Sequence, residues 1–337
     1  MTFRLVNTSF LNQAQFPFQM GLPVAAKLPP QSRGIIQLPH ARAILLRRAP
    51  DGDTLGVDFR STGLFGSRVK NTCRYLNIDT RESHYEDVEQ LGADLPTDAN
   101  LRGIGLTEVR WSAHRGEIVS CKPSNLSVRV LTNGKGNYGR VLGMPIRHDA
   151  DIDHLIQGDR IDWKDPNFAA LIEATVNHDL ARSGMAYVTF YKGVSPVEIA
   201  MFNSANLYAR QNGLGMRAEG EDLTETGFYV HTLDDLLGES SKIHPVVFRR
   251  VVAYLKRHGT FTADGFMKSL RGRPDSLRKL KRDYTSAHLE MLRGMDVEDM
   301  FDGKEYFMHD LFEIKAHPDG KGFIVRITEP LERYVRW

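Results

Sequence analysis

The sequence predicts a mixed α+β chain, on three observations. Five short runs rich in β-branched and apolar residues, at 41–48, 54–59, 69–78, 126–131 and 138–144, are separated by turn signals. One helix-like segment, opening at Thr97-Asp98, falls between the third run and the fourth. From about residue 236 the pattern changes to amphipathic helical stripes closed by a hairpin. Strand, strand, strand, helix, strand, strand is the order of a five-stranded OB-type β-barrel. The expected organisation is therefore an N-terminal arm (1–40), an OB-type domain (41–217) and a basic, mainly helical C-terminal domain (236–337).

Each element has its reason. Phe16-Pro17-Phe18, Pro23 and Pro29-Pro30 break any long helix, so the arm is expected to be irregular and partly extended. The 41–48 run leads into Asp51-Gly52-Asp53-Thr54, a turn composition, and the 54–59 strand follows. Residues 60–68 are a Gly/Ser-rich hairpin loop, and 69–78 is the returning strand. After Glu82 comes an acidic loop with Glu86, Asp87, Glu89 and Asp94. The helix from Thr97 is expected to carry Leu101, Ile104 and Val109 toward Trp111, although Gly103 and Gly105 weaken it. Residues 126–131 alternate, and 132–137 form a hairpin with Asn133-Gly134 as its turn. Residues 148–166 resemble an insertion; His148, Asp149, Asp151, Asp153 and His154 within it are metal-ligand types without a rigid frame.

Residues 167–183 are expected to be one amphipathic helix, with Phe168, Leu171, Ile172, Thr175 and Leu180 in register and Gly184 as its stop. An extended segment at 185–191 follows. Ser195-Pro196-Val197-Glu198 is a capping box with proline at the first helical position. It opens a helix to about residue 212. In the last third, helices are expected at 244–257, 262–270 and 274–291, with a hairpin about Pro318-Asp319-Gly320. Three helices and a hairpin is the order of a winged helix. Between Lys242 and Arg282 there are twelve Lys and Arg against two acids, Asp264 and Asp275. Such a patch is either a pair of solvated helix faces or a surface for phosphate backbone.

The whole-chain balance of 44 Lys+Arg against 42 Asp+Glu over 337 residues points to no partner. Two cysteines, Cys73 and Cys121, exclude a disulfide framework and a Cys/His zinc site. There is no apolar run of membrane-spanning length and no secretory signal, so a cytoplasmic location is expected.

The chemistry concentrates at 51–82. A hairpin brings the start of its first strand near the end of its second. Asp53 and Asp79 then come together, with Glu82 beyond and Arg74 beside them. Carboxylates suit a hard cation, and an arginine fork suits phosphate. Taken separately, each half is also the pattern of an ordinary turn or a structural ion pair. A second arginine, Arg140, stands at the mouth of the 138–144 strand, two residues after Tyr138.

These pieces, in this order, resemble the staphylococcal nuclease (thermonuclease) family over about 41–217. The resemblance rests on Asp51-Gly52-Asp53-Thr54; on Arg74 five residues before Asp79-Thr80, then Glu82; and on Tyr138-Gly139-Arg140. It also rests on the helix ending at 176–186 and the last helix before Gly213-Leu214-Gly215. It implies an OB-fold nuclease that hydrolyses DNA, RNA or both with Ca²⁺. Asp53, Asp79 and the Thr80 carbonyl would be the calcium ligands. Glu82 would activate water, while Arg74 and Arg140 would hold the phosphate. Tyr138 would lie near a terminal phosphate, and Phe190 falls on the base-stacking aromatic. The chain departs from the family at Arg81, where proline is usual, and at Gly136-Asn137, where an acid–lysine pair is usual. Arg81 would either loosen the loop holding Glu82 or add a phosphate contact. The alternative is an OB-type module that binds nucleic acid without cutting it.

Overall fold

The computed structural model describes residues 32–38, 51–60, 68–112, 118–124, 126, 128–135, 140–156, 160–272 and 275–336. The fold is mixed α+β, with eight α-helices and several small sheets among the described residues. The 41–48 run lies outside the described residues, as do Tyr138 and the 61–67 part of the first hairpin loop.

The first strand, β1 (Ser32–Leu38), falls within the segment expected to be an irregular arm. β2 (Thr54–Arg60) and β3 (Arg68–Tyr75) form the expected antiparallel hairpin, with Thr54 opposite Arg74. β4 (Ile78–Asp79) continues from β3 after a bend at Asn77, whose φ of 64° is a backbone state that asparagine tolerates. Helix α1 (Asp94–Gly103) starts a little earlier than expected. A bulged hairpin, β5 (Thr107–Trp111) with β6 (Ile118–Lys122), takes the place of the helix continuation toward Trp111.

β7 (Val128–Lys135), β8 (Val141–Pro145) and β9 (Arg160–Asp162) complete a six-stranded sheet of order β2-β3-β8-β7-β1-β9. Every pairing is antiparallel except β3 with β8. Among the described residues the sheet does not close on itself, so the expected five-stranded barrel is not seen. Asn133-Gly134 is not the hairpin turn either. Gly134 sits inside β7 at a register shift, and Lys135 pairs with Val141.

The helix expected over 167–183 is two, α2 (Phe168–Glu173) and α3 (Val176–Arg182). Thr175 is extended between them, and its hydroxyl accepts from the His178 amide as an N-cap. Two short strands, β10 (Tyr187–Val188) and β11 (Phe190–Tyr191), precede α4 (Pro196–Gln211), which has the expected capping box.

Beyond α4 come β12 (Phe228–Val230), α5 (Leu233–Leu236), α6 (Pro245–His258) and α7 (Ala263–Arg271). The third expected helix is instead β13 (Ser276–Leu280), followed by the single turn α8 (Leu289–Leu292). β13 pairs with β14 (Phe301–Phe307) on one side and β17 (Tyr334–Arg336) on the other. Two partners override the helix propensity of Leu, Arg and Lys, so the winged-helix order is absent among the described residues. The expected hairpin is present as β15 (Phe312–Ala316) and β16 (Phe323–Ile327).

Two apolar clusters result. The first packs the main sheet against α1–α4, and it also takes in Leu280, Tyr284, Leu292, Phe301 and Val335 from the last third. The second is built on α6, α7 and the 312–327 hairpin. The parallel pair β11–β17 ties the middle of the chain to its last strand. Val335 joins the first cluster while its neighbour Tyr334 joins the second, as alternation along a strand dictates. No helix among the described residues is long and apolar enough to cross a membrane.

Candidate functional site

The turn before β2 is closed by the Thr54 amide donating to the Asp51 carbonyl at 3.1 Å. Gly52 is required there by crowding, since a Cβ would lie 2.6 Å from Pro96 Cβ and 3.0 Å from Thr80 Oγ1. This close approach packs the turn against α1 and against Thr80. The Asp53 carbonyl accepts from the Tyr75 amide at 2.9 Å, and its carboxylate accepts from the Thr80 amide at 3.0 Å. Asp79 is fixed from the other side. Asn177 donates to the Leu76 carbonyl at 2.7 Å, Asn77 donates to Glu198 at 3.1 Å, and Tyr187 pairs with Asp79 across β4–β10.

Arg74 joins the two halves. One arm of its fork binds Asp53, and the other donates to Asp79 Oδ1 at 2.6 Å. Both carboxylates are buried, which makes these charge-assisted bonds strong and their loss costly.

A second guanidinium arrives from the far end of the chain. Arg249, on α6, donates to Asp79 Oδ2 at 2.6 Å and to Oδ1 at 3.2 Å, and it also binds Glu82. Asp79 is thus clasped between Arg74 and Arg249. Burial acts to raise its pKa, but the two arginines overrun that and hold it well below the usual carboxylate range. Asp53 goes the other way, because burial outweighs Arg74 and the neighbouring carboxylates add to the rise. Glu82 is also raised, by burial first, with Asp79 and Asp51 adding repulsion against the pull of Arg249. Asp53 and Glu82 are thus held toward their neutral forms, while Asp79 keeps its charge between the two arginines.

The loop carrying Glu82 is anchored by the C-terminal part of the chain. The Glu82 amide donates to Gln90 Oε1 at 2.9 Å, and the Gln90 amide nitrogen donates to the carbonyls of Ser241 and Ile243 at 2.8 and 2.9 Å. Arg81 neither loosens this loop nor reaches toward a ligand. It is buried, it donates to the Leu91 carbonyl at 2.9 Å and to the Glu221 carbonyl, and its ion pair with Glu221 spans 3.6 Å.

The remaining expected residues are distributed less evenly. Arg140 is exposed at the mouth of β8, and among the described residues it has no ion pair with the carboxylates. The parallel register, Cys73 with Val141 and Arg74 with Leu142, sets it two positions short of the Arg74 partner. Phe190 is completely buried, where it cannot present a face to a base; the next residue, Tyr191, is 42% exposed. The Arg336 guanidinium lies 5.6 Å from the centre of the Tyr191 ring and pairs with Asp275 at 3.0 Å. Along 148–154, His154 and Asp151 approach only to 4.0 Å and both are exposed. Cys73 is buried and Cys121 half-buried, and both are free thiols.

Among the described residues no three His, Cys, Asp or Glu side chains gather into a metal cluster. The centre offers the pair Asp53 and Asp79, with Thr80 beside them. Its donor set fits a hard cation. Both carboxylates are buried, Asp53 is compensated among the described residues by Arg74 alone, and the buried Thr80 hydroxyl has no hydrogen-bond partner. Arg249 is the residue that sequence reasoning missed at this site. Its only local signal is a charge flanking the apolar stripe Phe248, Val251, Val252 and Leu255. No protein-family model matches the chain, and no curated protein matches it.

Proposed function

We propose that the chain is a Ca²⁺-dependent phosphodiesterase that hydrolyses DNA, RNA or both, built on an OB-type domain like that of the staphylococcal nuclease family. One observation carries the reading: Asp53 and Asp79 converge on Arg74, and Arg249 joins Asp79 to Glu82, with Asp53, Arg74, Asp79 and Glu82 in the order and spacing that the family's motif has. The run β2-β3-β8-β7-β1, with α1 between β3 and β7 in the chain, supports the OB-type reading of the sheet.

Asp53, Asp79 and the Thr80 carbonyl would hold the calcium ion. When bound, the ion supplies positive charge for a phosphoryl oxygen and lowers the pKa of a coordinated water. The chain's own groups do the rest. Arg74, whose fork here binds Asp53 and Asp79, would turn to a phosphate once those carboxylates hold the ion, and the phosphate's equatorial oxygens gain negative charge as the attacking oxygen adds. Glu82, with raised basicity, accepts the proton of the attacking water. The P–O ester bond opposite then breaks, and the departing oxygen takes a proton from solvent. Arg249 is a second guanidinium within reach of the same carboxylates, and Arg140 enters from the mouth of β8.

The test is hydrolysis of single- and double-stranded DNA and RNA with Ca²⁺ and with chelator, for wild type and Glu82→Gln. Cleavage that needs Ca²⁺ and falls in the variant is expected. Cleavage that is absent, or indifferent to both, removes the reading. The second reading, a module that binds nucleic acid without cutting, is favoured by Arg249 already filling Asp79 and Glu82. Binding without cleavage in the same assay identifies it.

A further inference from the structure

We propose that the groove between the C-terminal ends of α6 and α7 and the turn at 85–88 holds the phosphate backbone of a nucleic-acid strand that continues into the Arg74–Asp79 centre. The identity of the ligand rests on the nuclease reading; the groove itself does not. It is an open cleft of about 350 Å³, lined by Arg250, Lys256 and Arg257 together with Tyr85 and Tyr254.

Two features separate this surface from an ordinary solvated helix face. The first is its unspent charge. Arg250 is paired with Asp275, but Lys256 and Arg257 are exposed and have no ion-pair partner among the described residues. The same holds for Lys268 and Arg271 at the end of α7. Cations in a last helical turn are favoured by the helix dipole, which accounts for each helix alone. It does not account for two such ends meeting at one cleft.

The second feature is continuity with the centre. Arg249 binds Asp79 and Glu82, and the next residue, Arg250, lines the groove. Glu82 is in the centre, and Tyr85 and Glu86 line the groove. At about 1.5 Å of rise per residue, the seven residues from Arg249 to Lys256 cover about 10 Å of helix. A nucleic-acid strand advances about 3.4 Å per nucleotide in a duplex, so this length accommodates about three phosphates.

The turn at the rim is itself unusual. Tyr85 and Val88 bridge, with Glu86 at φ 53° and Asp87 at φ 62° between them, both left-handed without glycine. Such strain costs on the order of 1 kcal/mol or more per residue and clusters where function requires it. Here it holds Tyr85 against the cleft and sets Glu86 as an acid at the rim.

The experiment is fluorescence anisotropy of a labelled single-stranded oligonucleotide, in chelator so that nothing is cut, over a series of KCl concentrations. The Lys256→Glu/Arg257→Glu variant is expected to bind about tenfold more weakly. Its slope of log K against log salt is expected to be shallower by about 1.4, two contacts at about 0.7 each. Glu86→Gln, which removes a repulsive charge, is expected to bind about twofold more tightly, an effect that unfolding cannot produce. Circular-dichroism melting checks that the double variant remains folded. Unchanged affinity and slope in the double variant, or no binding by wild type, overturns the proposal. Groove-dependent binding by a wild type that never cuts with Ca²⁺ leaves the groove standing and removes the nuclease reading. Cleavage without groove dependence does the reverse.

Discussion

Arg249 and Asp79 lie 170 residues apart in the chain, and the guanidinium of one closes on both carboxylate oxygens of the other, at 2.6 and 3.2 Å. Asp79 is fully buried, so its charge must be met by a cation, whether from the protein or from solution. Arg249 meets it in this structure, together with Arg74. This makes the C-terminal part of the chain a component of the site.

Arg249→Ala is therefore expected to destabilise the calcium-free protein by about 3 kcal/mol, the cost of leaving a buried charge short of a partner. Calcium that binds at Asp53 and Asp79 would supply the missing charge. The variant's melting temperature should then rise more on adding Ca²⁺ than that of wild type. Equal calcium shifts in the two proteins would place the ion elsewhere. Arg249→Lys keeps the charge without the fork and should fall between the two.

Glu82→Gln separates chemistry from folding. Glu82 accepts from Arg249 and sits on a loop held by Gln90, and its amide isostere keeps the shape while losing the base. On the phosphodiesterase proposed above, the turnover rate is expected to fall by about 10²–10⁴, the range for removing general-base catalysis, with oligonucleotide affinity little changed. A loss of affinity in step with rate would mean that Glu82 positions the substrate and does not take the proton.

How much of this was legible depended on how local the cause was. Asp53, Arg74 and Asp79 were readable because one hairpin and a short extension bring them together. Arg249 was not, because nothing within several residues of it differs from any basic amphipathic helix; its role comes from docking. Ser276–Leu280 failed for a related reason. Its composition favours helix, and the two strands that claim it lie 25 and 58 residues beyond its start, counting from Ser276 to Phe301 and Tyr334. Thr175 fits the apolar register of one helix, yet it is also a helix-capping residue type. Its hydroxyl caps a new helix, as β-branched hydroxyl residues prefer. Phe190 matched by position in the sequence, but alternation along β11 turns it into the core and leaves Tyr191 outside.

Gln90 shows how the docking is fastened. It is fully buried, and its one amide group meets the Glu82 amide and the carbonyls of Ser241 and Ile243. Gln90→Ala leaves those backbone groups without their partner at a buried seam. A loss of about 3 kcal/mol is expected in urea denaturation, since each unsatisfied buried group costs about 1–3 kcal/mol. Gln90→Glu keeps the acceptor but faces two carbonyls with a carboxylate, and should be no less damaging. A neutral outcome for both would mean that water replaces the side chain there.

Two buried histidines contribute stability that acid removes. His178, in α3, packs edge-on to Phe202 at 6.1 Å between ring centres and is held neutral. Burial first, then Arg182 and Arg147, lower its pKa from 6.5 to about 4. His244, fully buried, is lowered to about 4 by burial as well. Because the unfolded chain takes up these protons first, the stability they contribute is intact above pH 6.5 and declines as pH falls toward 4. Each histidine accounts for up to about 3 kcal/mol over that window. Asp53 and Glu82, whose pKa values are raised, oppose this by gaining stability as pH falls through the same window, so urea denaturation of His178→Gln at a series of pH values should lose less stability on acidification than wild type, whatever its stability at neutral pH. A pH dependence identical to wild type would assign the acid response to other groups.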